Sequence, residues 1–175
     1  VFSAYSPGGT SLVADEKYIP ATTAASVIQQ GGVGRFSLTD LEKKLAGKVV
    51  SVSPSISELR EGFSGSASPR DMTELFQLIY LYATSPREDR TAYSSYVTHL
   101  RSYVENRSRD PETALQDTLM VTLADYHPRA RPWTLDIMDE MSLEESFRIY
   151  RDRFADMGDF TFFFAGSFTP GDIRP

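Results

Sequence analysis

The run from Lys48 to Ala67 constrains the fold more than any other stretch of the chain. Val50, Val52 and Ile56 share one parity, and Ser51, Ser53, Ser55 and Ser57 take the other. That is the period of two of a strand with one buried face. Leu59, Glu61, Phe63, Gly65 and Ala67 then alternate with Arg60, Gly62, Ser64 and Ser66, so a second strand returns beside the first. The link between them is too short for a crossover helix, which makes the pair antiparallel. The small residues Gly62, Ser64, Gly65 and Ser66 predict that something large packs close against this ribbon. Helical patterns stand on either side of it, and the fold class that follows is α+β, an antiparallel β-sheet covered by α-helices.

The flanking elements carry their own punctuation. Phe2 to Ser6 reads as a strand that Pro7-Gly8-Gly9-Thr10 ends. A helix starts near Ile19-Pro20, with Ala21, Ala24, Ala25 and Ile28 on one face, and stops at Gly31-Gly32, since glycine suits the left-handed position after a helix. Ser37 to Asp40 is a capping box for a short helix through Leu41 and Leu45. Ser68-Pro69-Arg70-Asp71 caps a helix with Met72, Leu75, Phe76, Ile79 and Tyr82 at helical spacing. Ser85-Pro86-Arg87-Glu88 precedes another, striped by Tyr93, Tyr96, Val97, Leu100, Tyr103 and Val104. The short link predicts that these two are antiparallel neighbours. Asp110-Pro111 starts a helix through Leu115, Leu119 and Leu123, closed by His127-Pro128. Ser142 to Glu145 is a full capping box, followed by the stripe Leu143, Phe147, Tyr150 and Phe154. Phe160 to Ala165 is apolar at nearly every residue, which predicts a central strand covered on both faces.

A chain of 175 residues reads as one domain large enough to bury a core. Its longest apolar burst, Phe160 to Gly166, is strand-sized, so no membrane span is expected. The net charge of −6 argues against nucleic acid as a partner, because phosphate binding needs a basic face. There is no cysteine, which excludes disulfides and thiolate metal sites. The chain opens on Val1-Phe2-Ser3-Ala4-Tyr5, already strand-like. Thr169-Pro170-Gly171-Asp172 reads as a helix start just before Arg174-Pro175. Both ends therefore look cut from a longer protein.

The residue types that carry catalysis are scarce or ill-placed. The two histidines, His99 and His127, are far apart and in no metal-ligand spacing. His127 at a helix end is expected there as a C-terminal cation. The carboxylate pairs Asp139/Glu140, Glu144/Glu145 and Glu105/Asp110 lie near helix starts or on polar faces, where capping and solubility account for them. No Gly-x-Ser-x-Gly elbow occurs. Gly31-Gly32-Val33-Gly34 follows a helix instead of joining a strand to a helix start, the wrong order for a phosphate cradle. Tyr93, Tyr96 and Tyr103 at helical spacing read as core. The expected sites are therefore none catalytic and none metal-binding, with substrate-binding residues unassigned.

The order of elements, with several phrases, resembles one repeat domain of the insulinase/pitrilysin (inverzincin) metallopeptidases. The phrases are Tyr5 to Leu12, Phe36 to Leu45, the ribbon Val49 to Ala67, His127 to Pro132, Tyr150 to Phe154 and Phe162 to Phe168. No single phrase is specific; their order and spacing are. The resemblance implies a mitochondrial-processing-peptidase-like metallohydrolase domain. In that family zinc is held by H-x-x-E-H on a helix and a more distant Glu, the motif Glu acting as general base. Registering the chain through Phe36 to Leu41 puts Thr23, Ser26 and Val27 at the two histidines and the base. Between Lys17 and Leu41 there is neither His nor Glu, so a slipped register does not restore the site.

Long members of the family have two related halves, one of which has lost the metal site, closing around an unfolded peptide. The resemblance thus implies that residues 1–175 form a single non-catalytic repeat domain, the first of the C-terminal half of a large bacterial zinc endopeptidase. No cofactor is expected in this segment, and zinc is expected in the catalytic half. The implied partners are that N-terminal half of the same chain and peptide substrates, which add to exposed sheet edges. The family's transition-state Arg and Tyr belong to a later domain, so no catalytic residue is carried over. Periplasmic location is favoured over cytoplasmic, from the habit of large bacterial relatives. The rival readings are a scaffold or peptide-binding subunit from a member with no active half, and a simple oligomerising module.

Overall fold

A computed structural model of the chain describes residues 1–107 and 109–173. Arg174 and Pro175, where the C-terminal helix signal was read as breaking off, lie outside the described residues. Four strands form one antiparallel sheet: β1 (Phe2–Pro7), β2 (Val50–Ile56), β3 (Arg60–Ala67) and β4 (Thr161–Phe164), in the order β2-β3-β1-β4. The predicted ribbon is β2 and β3, paired antiparallel with Val52 opposite Gly65 and Pro54 opposite Phe63. β1 lies on the other side of β3, with Ala4 opposite Phe63. Gly62 and Gly65 are where backbones crowd. A Cβ on either would stand 2.2 Å from Ala4 O or 2.0 Å from Ser51 O, so the small residues of the ribbon make room for neighbouring strands.

Eight α-helices accompany the sheet among the described residues. They are α1 (Tyr18–Gly31), α2 (Leu38–Leu45), α3 (Met72–Thr84), α4 (Arg90–Arg107), α5 (Pro111–Leu123), α6 (Leu135–Met138), α7 (Leu143–Arg153) and α8 (Pro170–Ile173). Three start as predicted, with the N-cap side chain accepting a backbone N–H. Ser37 takes Asp40 N, Ser142 takes Glu145 N, and Asp110 takes Glu112 N and Thr113 N. The carboxylates three residues on have further partners. Asp40 bonds the Ser37 hydroxyl, and Glu145 turns to Arg148 and Lys17.

The core lies on the sheet face carrying Phe2, Ala4, Val52 and Phe63, under α1, α3 and α7. Phe63 stacks toward Phe154 at 4.7 Å and Phe154 against Tyr150 at 4.3 Å. Tyr150 is fully buried and donates its hydroxyl to Tyr82 O at 3.1 Å. Without that acceptor the phenol would strand a polar group in the core.

Three expectations fail. β4 is an edge strand and not a central one: among the described residues it pairs only with β1, and Phe163 is half exposed. Its phenylalanines split between faces, Phe162 and Phe164 opposite the inward Ala4 and Phe2, and Phe163 stacked on the outward Tyr5. Next, α4 packs against α1 and α6, not antiparallel beside α3. Asp89, which caps α4 through Thr91 N and Ala92 N, follows a link fixed by Gly34 N to Ser85 O and Arg87 N to Gly32 O. That link redirects the chain, and of the tyrosine stripe only Val104 is buried, with Tyr103 exposed. Finally, Tyr93, Tyr96 and Tyr103, read as core, are half-buried or exposed; the Leu115, Leu119 and Leu123 stripe of α5 likewise faces solvent.

Candidate functional site

The place to look for chemistry is the middle of α1, where the resemblance would set Thr23, Ser26 and Val27 at the ligands and base. Thr23 and Val27, one turn apart, face inward and are buried, while Ser26 is half-buried. The Thr23 Oγ1 donates to Ile19 O at 2.9 Å and sits 3.5 Å from Ser146 Oγ of α7. Ser146, fully buried, donates in turn to Pro20 O at 2.9 Å. Ala21, Ala24 and Ala25 of α1 are buried as well, and α7 packs along this helix. Both hydroxyls are thus spent on carbonyls of α1, and Val27 is hydrocarbon. Beside α1, the buried side chain of α4 is Val104. This patch offers no imidazole and no carboxylate, and it serves as helix-to-helix packing. Among the described residues no three His, Asp or Glu side chains converge.

The two histidines lie on the surface and stay apart. The role expected of His127 is corrected. Its Nδ1 accepts the Arg129 N–H at 3.2 Å, so the side chain caps the 3-10 turn Pro128–Ala130 that follows α5. Asp139, Glu140, Glu144 and Glu145 meet Arg101, Arg131, Arg90 and Arg148 in exposed ion pairs, the solvated role expected of them.

Two side chains escaped the search. Glu61 is buried, and its Oε2 accepts the Gly9 N–H at 2.5 Å. Burial pushes its carboxyl above the ordinary range, an effect opposed by that N–H and by the Arg153 charge. The signal was in the alternation, which set Glu61 on the apolar parity. Arg129 reaches back across the chain to Thr10 O at 3.0 Å, Val13 O at 2.6 Å and Asp15 Oδ1 at 2.7 Å, and covers the Tyr18 ring at 5.0 Å. It clasps the β1–α1 connection, and no local pattern announces such a long-range clasp. A cleft of about 350 Å³ between α1, α2, β2 and α3 is lined mainly by Gln29, Leu41, Leu45, Val52 and Tyr82, with Glu42 and Ser51 also on its wall.

An antiparallel sheet with α1, α3 and α7 on one face is the fold of an insulinase/pitrilysin-type peptidase domain, and the resemblance read from the sequence is borne out. No family profile matches the chain. It is 22% identical, over 99% of its length, to the probable zinc protease PqqL of Haemophilus influenzae, of which it covers 18%. The periplasmic protease PqqL of Escherichia coli superposes on 92% of the chain with a TM-score of 0.73 and 18% identity, over 18% of its own chain. A variant of the ferredoxin protease FusC, in complex with Arabidopsis ferredoxin, does so on 98% with a TM-score of 0.76 and 16% identity, over 19% of its own. A peptidase M16 inactive domain from Pseudomonas fluorescens matches 88% of the chain with a TM-score of 0.58 and 14% identity, over 44% of its own. The chain thus spans about a fifth of the length of the proteases it matches.

Proposed function

We propose that residues 1–175 are one non-catalytic domain of a bacterial zinc-dependent endopeptidase, forming part of the wall of a chamber that encloses unfolded peptides. The observation that carries the reading is the state of α1. Where a member of this family with an active site holds zinc, this chain has Thr23, Ser26 and Val27. The inward hydroxyl is already committed to Ile19 O, beside Ser146. A metal needs lone pairs directed at it, and a general base needs a group that can take a proton near neutrality. Neither can be assembled here without several substitutions. Similarity along the whole chain to a probable zinc protease supports a protease parent, in which zinc belongs to the N-terminal half. That half and peptide substrates are then the partners, and the periplasmic relative favours the same compartment.

Metal analysis tests this. The purified chain, dialysed against micromolar zinc, should retain well under one zinc per molecule. One tightly held, stoichiometric zinc would overturn the non-catalytic assignment. The sequence of the longer reading frame is the second test: H-x-x-E-H upstream is expected, and its absence would favour the scaffold reading.

A further inference from the structure

We infer that α5 is a hinged arm: fastened to the body by the Arg107–Asp117 pair, it opens as a unit about Asp125 and Tyr126 while the sheet and α1 stay folded. The inference stands on the geometry of this chain and does not draw on the protease reading.

Burial does little to hold α5. None of its residues is buried, and among the described residues no other helix or strand packs along it as α7 does along α1. The residues it turns to the body are Thr113, Asp117 and Val121, half-buried and one turn apart. That stripe has little hydrocarbon to withdraw from water. The fastening is ionic. Both oxygens of Asp117 accept from the Arg107 guanidinium, at 2.7 and 2.6 Å, and α4, which carries Arg107, is rooted by its buried Val104. The two side chains stay 24% and 18% exposed, so the pair is a modest catch.

The far end is made to turn. Past α5 the backbone takes the left-handed conformation twice, at Asp125 with φ 50° and Tyr126 with φ 56°. Neither is glycine, and this conformation crowds the β-carbon of an L residue. The fastened position therefore keeps strain in this turn that opening relieves. Just beyond, the chain is anchored again: Arg129 donates to Thr10 O, Val13 O and Asp15, and Arg131 to Glu140. Rotation is thus concentrated at the two strained residues. Isolated helices below roughly 12–15 residues are marginal in water. With 13 residues, α5 loses its amide protection once it leaves the body.

Hydrogen exchange of the full-length protein, read peptide by peptide, tests this. Amides of α5 should exchange at least about 100-fold faster than those of α1. Asp117→Asn should speed exchange in α5 about five-fold and leave α1 unchanged. Tyr126→Gly removes strain from the fastened position and should slow exchange in α5 about two-fold. Protection of α5 equal to that of α1 overturns the inference. So does an Asp117→Asn that acts on both helices alike or on neither, since the ion pair would then govern no separate opening. A Tyr126→Gly that speeds α5 overturns the hinge. These outcomes are read whether or not the protein binds zinc, so they leave the protease reading to its own test.

Discussion

Glu61 illustrates how one residue reports on its surroundings. Its carboxyl in the folded chain titrates above the ordinary value of 4.5, burial being the leading cause. A raised folded pKa contributes stability that is complete below the unfolded value and is lost as pH climbs through the folded one. Glu61→Gln removes the ionisation and keeps an oxygen for Gly9 N–H. Denaturant midpoints of variant and parent should lie close near pH 4, and the variant should pull ahead as pH rises to 7. A parent that gains on the variant over that interval would refute the account. The α1–α7 contact makes a second prediction. Ser146→Leu forces a large side chain into a fully buried site and should cost about 1–3 kcal/mol by chemical denaturation. Ser26→Glu, at the half-buried position, should stay within about 0.5 kcal/mol. That Thr23 and Ser26 bring neither imidazole nor carboxylate is plain from identity alone. That Thr23 pairs with a serine 123 positions later was not legible, because no local period encodes it.

Among the elements, α3 and α5 have similar leucine-rich stripes but different surroundings. Leu75 of α3 is buried against the sheet, whereas Leu119 of α5 is half exposed. Leu75→Ala should therefore destabilise the 175-residue chain by about 2–5 kcal/mol, and Leu119→Ala by no more than about 0.5. Equal losses would mean that α5 is packed. Period and caps gave away where both helices begin and which side is apolar, and the antiparallel ribbon was readable from parity and a short turn. What period cannot reveal is whether an apolar side meets a partner inside the chain. The same blindness misplaced β4: four consecutive apolar or β-prone residues look alike in a central strand and in an edge awaiting a neighbour. For α4, the bonds that redirect the Ser85–Asp89 link are made by backbone groups, which leave no trace in residue type.

For the molecule as a whole, β4 leaves one side of the sheet unfinished. Thr161-Phe162-Phe163-Phe164 has no lysine, no proline and no bulge, the devices by which soluble proteins blunt such margins. Isolated molecules would consequently zip together along this border into ribbons once concentrated. Light scattering of the separated chain should climb with time, and Phe163→Lys should suppress it while losing the stack on Tyr5, at a cost of about 0.5–1.5 kcal/mol in chemical denaturation. Handling the chain in the laboratory is thus a matter of hem-stitching, with one charge sewn along a bare border.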